Sequence, residues 1–185
     1  MTATPHDAVI LAGGRAKRFG DDKVLAEVEG STLLATAVEA VSQARHVAVV
    51  GPRRDTLLPR PVRWCREEPP FGGPVVALAA GLAALPDDDA DVLLLAADLP
   101  RAADLVAALQ TTTPSDARVI VDADGQAQWT SSLVRRPALR DALRAIGEAH
   151  GASLRHLFSH LEWEPAPAPT GATWDVDTPD DLRRP

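Results

Sequence analysis

The sequence predicts a three-layer α/β domain, with a mostly parallel sheet covered by helices on both faces. Three observations carry that expectation. The plainest strand-like runs are apolar throughout, as in VLLLAA at 92–97, whereas a strand with one wet face alternates. Segments of helical periodicity separate these runs, the order that builds βαβ units. The runs also end on glycines or acids, at the strand ends where open α/β sheets bind ligands.

The elements follow in order. Residues 8–12 (AVILA) read as a short buried strand closed by Gly13-Gly14. Ser31 is placed to cap a helix through 32–44, where Leu34, Val38 and Val41 share a face. HVAVVG at 46–51 is a second buried strand and PVRWC at 61–65 a short third. Pro74 opens a helix of small residues, the acidic turn PDDDAD follows, and the 92–97 strand ends at Asp98-Leu99-Pro100. A helix over 102–110 precedes a strand at 118–122. An Asp-Gly turn at Asp124-Gly125 leads to a strand at 128–134. Helices near 138–146 and 153–161 come next. The proline-rich piece 164–173 is not read as a linker, because Trp174 and Val176 resume the apolar pattern. Thr178-Pro179-Asp180-Asp181 carries the start signals of a last helix.

With 185 residues, 45% hydrophobic and 24% charged, the chain reads as a single domain over 1–185 with a sizeable core. A net charge of −7 argues against nucleic acid as a partner. The single cysteine, Cys65, reads as a small buried hydrophobe and permits no intrachain disulfide, which fits a reducing compartment. No apolar run approaches the roughly 20 residues that span a membrane. The MTATPHD start has no signal-peptide character, so no membrane and a cytoplasmic location are expected.

On this acidic chain one loop is basic. In LAGGRAKRFGDDK, residues 11–23, Gly13, Gly14 and Gly20 are mixed with Arg15, Lys17, Arg18 and Lys23. The loop is neither GxxxxGK[ST] nor GxGxxG, but it offers the same chemistry: turned backbone N–H groups and cations for phosphate oxygens. The chain holds two lysines against seventeen arginines, and both lysines lie in this loop. A compact ammonium is wanted there, and arginine does not substitute for it geometrically. The alternative is a solvated basic turn.

Asp98 ends the most hydrophobic strand, where a carboxylate can hold a divalent cation that bridges to phosphates; its alternative role is a helix cap. Asp175 and Asp177 in WDVDTP form a second acidic pair, and one or two carboxylates suffice for Mg²⁺. His156 and His160 stand four apart but lack the HExxH glutamate. Ser131-Ser132 lies outside any GxSxG context. Trp129 and Trp174 read as core before they read as stacking platforms.

Four stretches together resemble the molybdenum cofactor guanylyltransferase (MobA) family of nucleotidyltransferases. These are the loop at 11–23, EEPPFGGPVVAL at 67–78, LLLAADLP at 93–100 and DVDTPDDL at 175–182. The resemblance implies a Rossmann-like three-layer nucleotidyltransferase domain that uses Mg²⁺ to move GMP from GTP to a molybdopterin-type acceptor. It implies nucleotide contacts at Leu11, Ala12, Gly13, Gly14, Lys23 and Asp98, catalytic roles for Arg18, Lys23 and Asp98, and metal ligation by Asp98 and Asp177. Transient contact with the enzymes that insert the cofactor is implied as well. The chain departs from the family pattern in a shorter Gly20–Lys23 stretch, in Val50 and Trp129, and in aspartates at 175 and 177 in place of asparagines. Guanine presents two adjacent donors that one carboxylate can accept together, and Glu68, before the Pro69-Pro70 turn, is the residue expected to read it, with Glu67 the alternative. A related cytidylyltransferase or other small-molecule nucleotidyltransferase, and a catalytically silent nucleotide-binding module, are the other readings.

Overall fold

The computed structural model describes residues 5–13, 22–110, 115–176, 178 and 181. Nine strands and five helices alternate along them. They are β1 (His6–Leu11), β2 (Glu27–Val28), β3 (Ser31–Thr32), α1 (Leu33–Ala40), β4 (Val47–Val50), β5 (Arg63–Cys65), α2 (Pro74–Ala83) and β6 (Asp91–Ala96). After these come α3 (Ala102–Leu109), β7 (Ala117–Val121), β8 (Ala127–Val134), α4 (Arg136–Ile146), α5 (Leu154–Phe158) and β9 (Trp163–Pro167). Seven strands form one sheet in the order β5-β4-β1-β6-β8-β7-β9, and β2 and β3 pair as a separate hairpin. β8 runs antiparallel to both β6 and β7, and the other pairings are parallel. Six strands therefore point one way, as the uniformly apolar runs predict.

β1 shows why those runs do not alternate. Ala8 and Ile10 pack with α1 and α3 on one face, and Val9 packs with α2 on the other. Both faces are dry, so each position favours an apolar side chain. Asp7 is the exception. Fully buried, it meets the buried Arg136 at 2.5 Å and two of the Arg45 guanidinium nitrogens, Nε and Nη2, at 3.2 Å each. Arg136 also donates to the carbonyls of Pro86 and Ala90. Such pairing is what makes a buried charge tolerable.

Three sequence expectations change. Thr32, not Ser31, caps α1: its hydroxyl accepts from the Ala35 N–H at 3.1 Å, while Ser31 is held in the β2–β3 hairpin. Part of the proline-rich piece is a strand, β9, at the sheet edge. Ala168 donates its N–H to Val121 of β7. By alternation Glu164 and Ala166 face β7 as well, so Pro165 and Pro167 face outward, where no ladder donor is needed. The 128–134 strand is antiparallel and carries a bulge opposite Val119/Ile120. The expected last helix lies mostly outside the described residues, although Thr178 does bond the Asp181 carboxylate through its N–H and hydroxyl, each at 2.8 Å.

Helix α2 lies close on the sheet because position 81 has no side chain. A Cβ there would sit 2.5 Å from a Val9 methyl and 2.9 Å from a Val50 methyl. Gly81→Val is expected to destabilise the fold by about 1–3 kcal/mol through overpacking, read as a lower melting temperature. Unchanged melting would show that the helix can lift away freely.

Candidate active site

The carboxyl ends of β4, β1 and β6 lie side by side, and the chain passes from β1 to β4 on one side and returns to β6 on the other. This is the switch point at which open α/β sheets take their ligands. The ladder continues one residue beyond the strands. Ala12 donates to Val50 O at 2.8 Å, and Ala97 donates to Leu11 O at 3.0 Å. Gly51 makes this convergence possible: a Cβ there would lie 2.8 Å from the Ala12 carbonyl oxygen.

Lys23 and Asp98 meet beyond these strand ends. Lys23 opens a short 3-10 turn, Lys23–Leu25, after the basic loop. Its Nζ meets Asp98 Oδ2 at 2.9 Å, with side-chain exposures of 13% and 28%. At that burial the pair is screened less than a surface ion pair. Asp98 is not a helix cap, because α3 begins at Ala102 with Arg101 in the cap position. The backbone of Val176 donates to Asp98 O at 3.1 Å and so brings Asp175 near the strand end. Lys23, Asp98, Leu11 and Gly13 are thus gathered at one end of the sheet. Gly14, Arg15, Lys17, Arg18, Gly20 and Asp177 lie outside the described residues.

Beside the pair is a cavity of about 500 Å³, lined by Leu11, Gly13, Val50, Glu67, Phe71 and Gly73 among others. Leu11 contributes a half-buried side chain. Ala12 is turned into the opposite core and its N–H is engaged by Val50. Glu67 lines the cavity and Glu68, on which the sequence reading settled, does not. The turn between Glu67 and Phe71 accounts for the difference. The Phe71 N–H donates to Glu67 Oε1 at 3.0 Å and holds that carboxylate inward, whereas Glu68 is exposed. Phe71, with a φ of 66°, is more than half exposed at the cavity wall, and the Arg66 guanidinium stands 5.8 Å from its ring centre. Sequence reasoning passed over Phe71, whose only signal was an aromatic placed between Pro-Pro and Gly-Gly.

The weaker candidates do not converge on this site. Ser131 and Ser132 are buried in β8. The rings of His156 and His160 meet edge-on at 5.3 Å. Trp129 packs against Phe158 and Trp163 at 5.1 Å each. Among the described residues no three His, Cys, Asp or Glu side chains gather to hold a metal. No helix there is long and apolar enough to cross a membrane.

A family model described as the MobA-like NTP transferase domain matches residues 8–165. The chain belongs to this family. A probable molybdenum cofactor guanylyltransferase of Synechococcus elongatus is 46% identical over 103 residues, 52% of this chain and 52% of that protein, so the match spans about half of that relative. A molybdenum cofactor guanylyltransferase of Shewanella baltica is 31% identical over 193 residues, covering 96% of this chain and 94% of its own. The crystal structure of Rv0371c from Mycobacterium tuberculosis shares the fold, with a TM-score of 0.76 and 21% identity over 98% of this chain and 97% of that one. The MobA-like match contains the strand ends, the Lys23–Asp98 pair and the cavity.

Cys65, at the end of β5, lies close enough to Glu67 to feel its charge. Burial pushes its thiol pKa up, and the nearby Glu67 carboxylate raises it further. At neutral pH its thiolate fraction should therefore be below that of a free cysteine, and its alkylation by iodoacetamide correspondingly slow. Glu67→Gln removes the smaller of the two causes. The pH midpoint of alkylation should move down in that variant, and an unmoved midpoint would mean that Glu67 does not face the cavity side of β5.

Proposed function

We propose that this chain transfers GMP from GTP to the phosphate of a molybdopterin-type acceptor and releases pyrophosphate. The observation that carries this reading is the Lys23–Asp98 pair, set at the switch point beside a cavity, in a chain of the MobA-like family. In the reaction an acceptor phosphate oxygen bonds to the α-phosphorus of GTP, and the bond from that phosphorus to the β-bridging oxygen breaks. Such a displacement asks the protein for alignment and charge neutralisation rather than for a nucleophile of its own.

Each proposed site residue then has a task. The Lys23 ammonium, paired with Asp98, can leave it for phosphate oxygens. Gly13 lets the backbone pass close to them, and Arg18 and Gly14 complete that role in the loop. Leu11 and Phe71 flank the base with apolar surface. Glu67 takes the place that the sequence reading gave to Glu68: its carboxylate can accept the N1–H and 2-amino protons of guanine, which cytosine does not present together.

Mg²⁺ fits the donor set. A hard cation held chiefly by phosphates and water needs one or two carboxylates, and Asp98 is a partly exposed carboxylate at a strand end. Asp98 would hold the ion with a carboxylate from 175–177, in which Asp177 is the expected residue. When bound, the ion would neutralise phosphate charge. A cytoplasmic location and hand-over of product to the enzymes that insert the cofactor belong to the same proposal.

Incubation with GTP, Mg²⁺ and molybdopterin should release pyrophosphate. Lys23→Ala should slow the wild-type rate by about 10²–10³, the size of loss typical for one preorganised electrostatic contact. Asp98→Asn should abolish metal-dependent turnover, because a neutral amide is a poor ligand for a hard cation. Wild-type turnover in either folded variant would remove the residue from the chemistry.

Base choice is read from kcat/KM for GTP against CTP. Glu67→Gln should erase most of the GTP advantage, which can reach ~10⁴ when a site is built around the missing contact, and Glu68→Gln should erase little. A wild type that prefers CTP would overturn the guanine reading.

A further inference from the structure

Arg54 lies just after β4, in a segment without regular structure. Nothing in the sequence marks it beyond its place in PRRD. Its guanidinium grips Asp22 with two prongs, Nε to Oδ2 at 2.5 Å and Nη2 to Oδ1 at 2.9 Å. The remaining Nη1 donates to the Pro52 carbonyl at 3.0 Å. The Arg54 side chain is only 9% exposed, although its partner is 40% exposed. All three guanidinium nitrogens are therefore engaged, in the fork geometry that only arginine provides. An ordinary surface pair contributes about 0–1 kcal/mol and fixes little. Here a shielded side chain holds one residue, Asp22, by two hydrogen bonds, while its third contact anchors the guanidinium to the Pro52 carbonyl.

That residue is the one before Lys23. Asp22 has an extended backbone, with φ −71° and ψ 94°, so neighbouring side chains point to opposite sides. The Asp22 carboxylate turns to Arg54 beside β4, while the Lys23 ammonium turns to Asp98 at the end of β6. The Asp22 carbonyl also accepts from the Leu25 N–H at 2.9 Å, tying the same residue to the turn that follows. The exit of the basic loop is thus held from the β4 side by a contact that involves none of the phosphate-facing groups. If Lys23 exchanges Asp98 for phosphate oxygens, the Arg54–Asp22 contact is the one that stays.

We propose that Arg54 is a positioning residue: through Asp22 it holds the backbone from which Lys23 reaches the phosphates of the bound nucleoside triphosphate. The inference rests on the nucleotidyl-transfer reading. It places the effect of Arg54 on the chemical step, because a small misplacement of an aligned charge is felt most where charge develops. Binding of the base, in the cavity around Glu67 and Phe71, is left nearly unchanged.

The test measures pyrophosphate release against GTP concentration for the wild type, Arg54→Ala, Asp22→Asn, Lys23→Ala and the double variant Lys23→Ala/Arg54→Ala, with melting temperatures alongside. Arg54→Ala and Asp22→Asn should each lower kcat on the order of tenfold or more, with KM within about threefold and melting near the wild type. Asp22→Asn keeps the shape of the side chain and so covers the case in which Arg54→Ala folds poorly. The double variant should be no slower than Lys23→Ala alone, since Arg54 acts through Lys23. Wild-type kcat in folded Arg54→Ala, or a loss that multiplies on top of Lys23→Ala, overturns the positioning role while leaving the functional reading intact. A wild type that releases no pyrophosphate overturns both.

Discussion

β1 is hydrogen-bonded on both edges and covered on both faces, and the rest of the molecule is arranged around that constraint. With β4 on one side and β6 on the other, its backbone groups are satisfied along its whole length, and its side chains divide between the two cores. A strand confined in this way can change direction only at its end. There Gly51 lets the ends of β4 and β1 approach within backbone contact. The polar chemistry sits immediately beyond the rigid part, which is where positional precision is greatest.

The Lys23–Asp98 pair reflects the same economy of placement. Two opposite charges, one beyond the end of β6 and one on the Lys23–Leu25 turn, would each be costly if left half-buried and alone. Together they are tolerable, and each can exchange its partner for a ligand of the complementary sign. A triphosphate satisfies the ammonium, and a divalent cation satisfies the carboxylate. Lys23 and Asp98 compensate each other's charge, and filling the site exchanges that ion pair for others.

Much of this was legible in the sequence. Fully buried strands advertise themselves by unbroken apolar runs, which is why β1, β4 and β6 were found with their ends nearly right. Lys23 stood out against an arginine-biased chain, and Asp98 stood at the end of the plainest strand. Other features left no local trace. β9 carries two prolines, and only its register against β7 shows that both point away from the ladder. The cap of α1 moved by one residue because Ser31 and Thr32 are chemically equivalent candidates and a two-residue hairpin chose between them. Glu67 and Glu68 are adjacent and alike, and the hydrogen bond from the Phe71 N–H distinguishes them. Arg54 finds Asp22 across 32 positions of chain, a pairing that no periodicity encodes. Elements that depend on their own segment could be read, and those that depend on a distant partner could not.

The two ends of the sheet have a consequence for how copies of this chain can meet. On one side the sheet closes with β5, only three residues long. On the other it closes with β9, whose outward-facing positions include Pro165 and Pro167 and so lack two of the N–H donors that a new strand would need. An incoming chain finds too short a template at one border and a broken row of donors at the other. The sheet is thereby protected from growing by strand addition, in a protein whose most apolar strands would otherwise be good templates for aggregation.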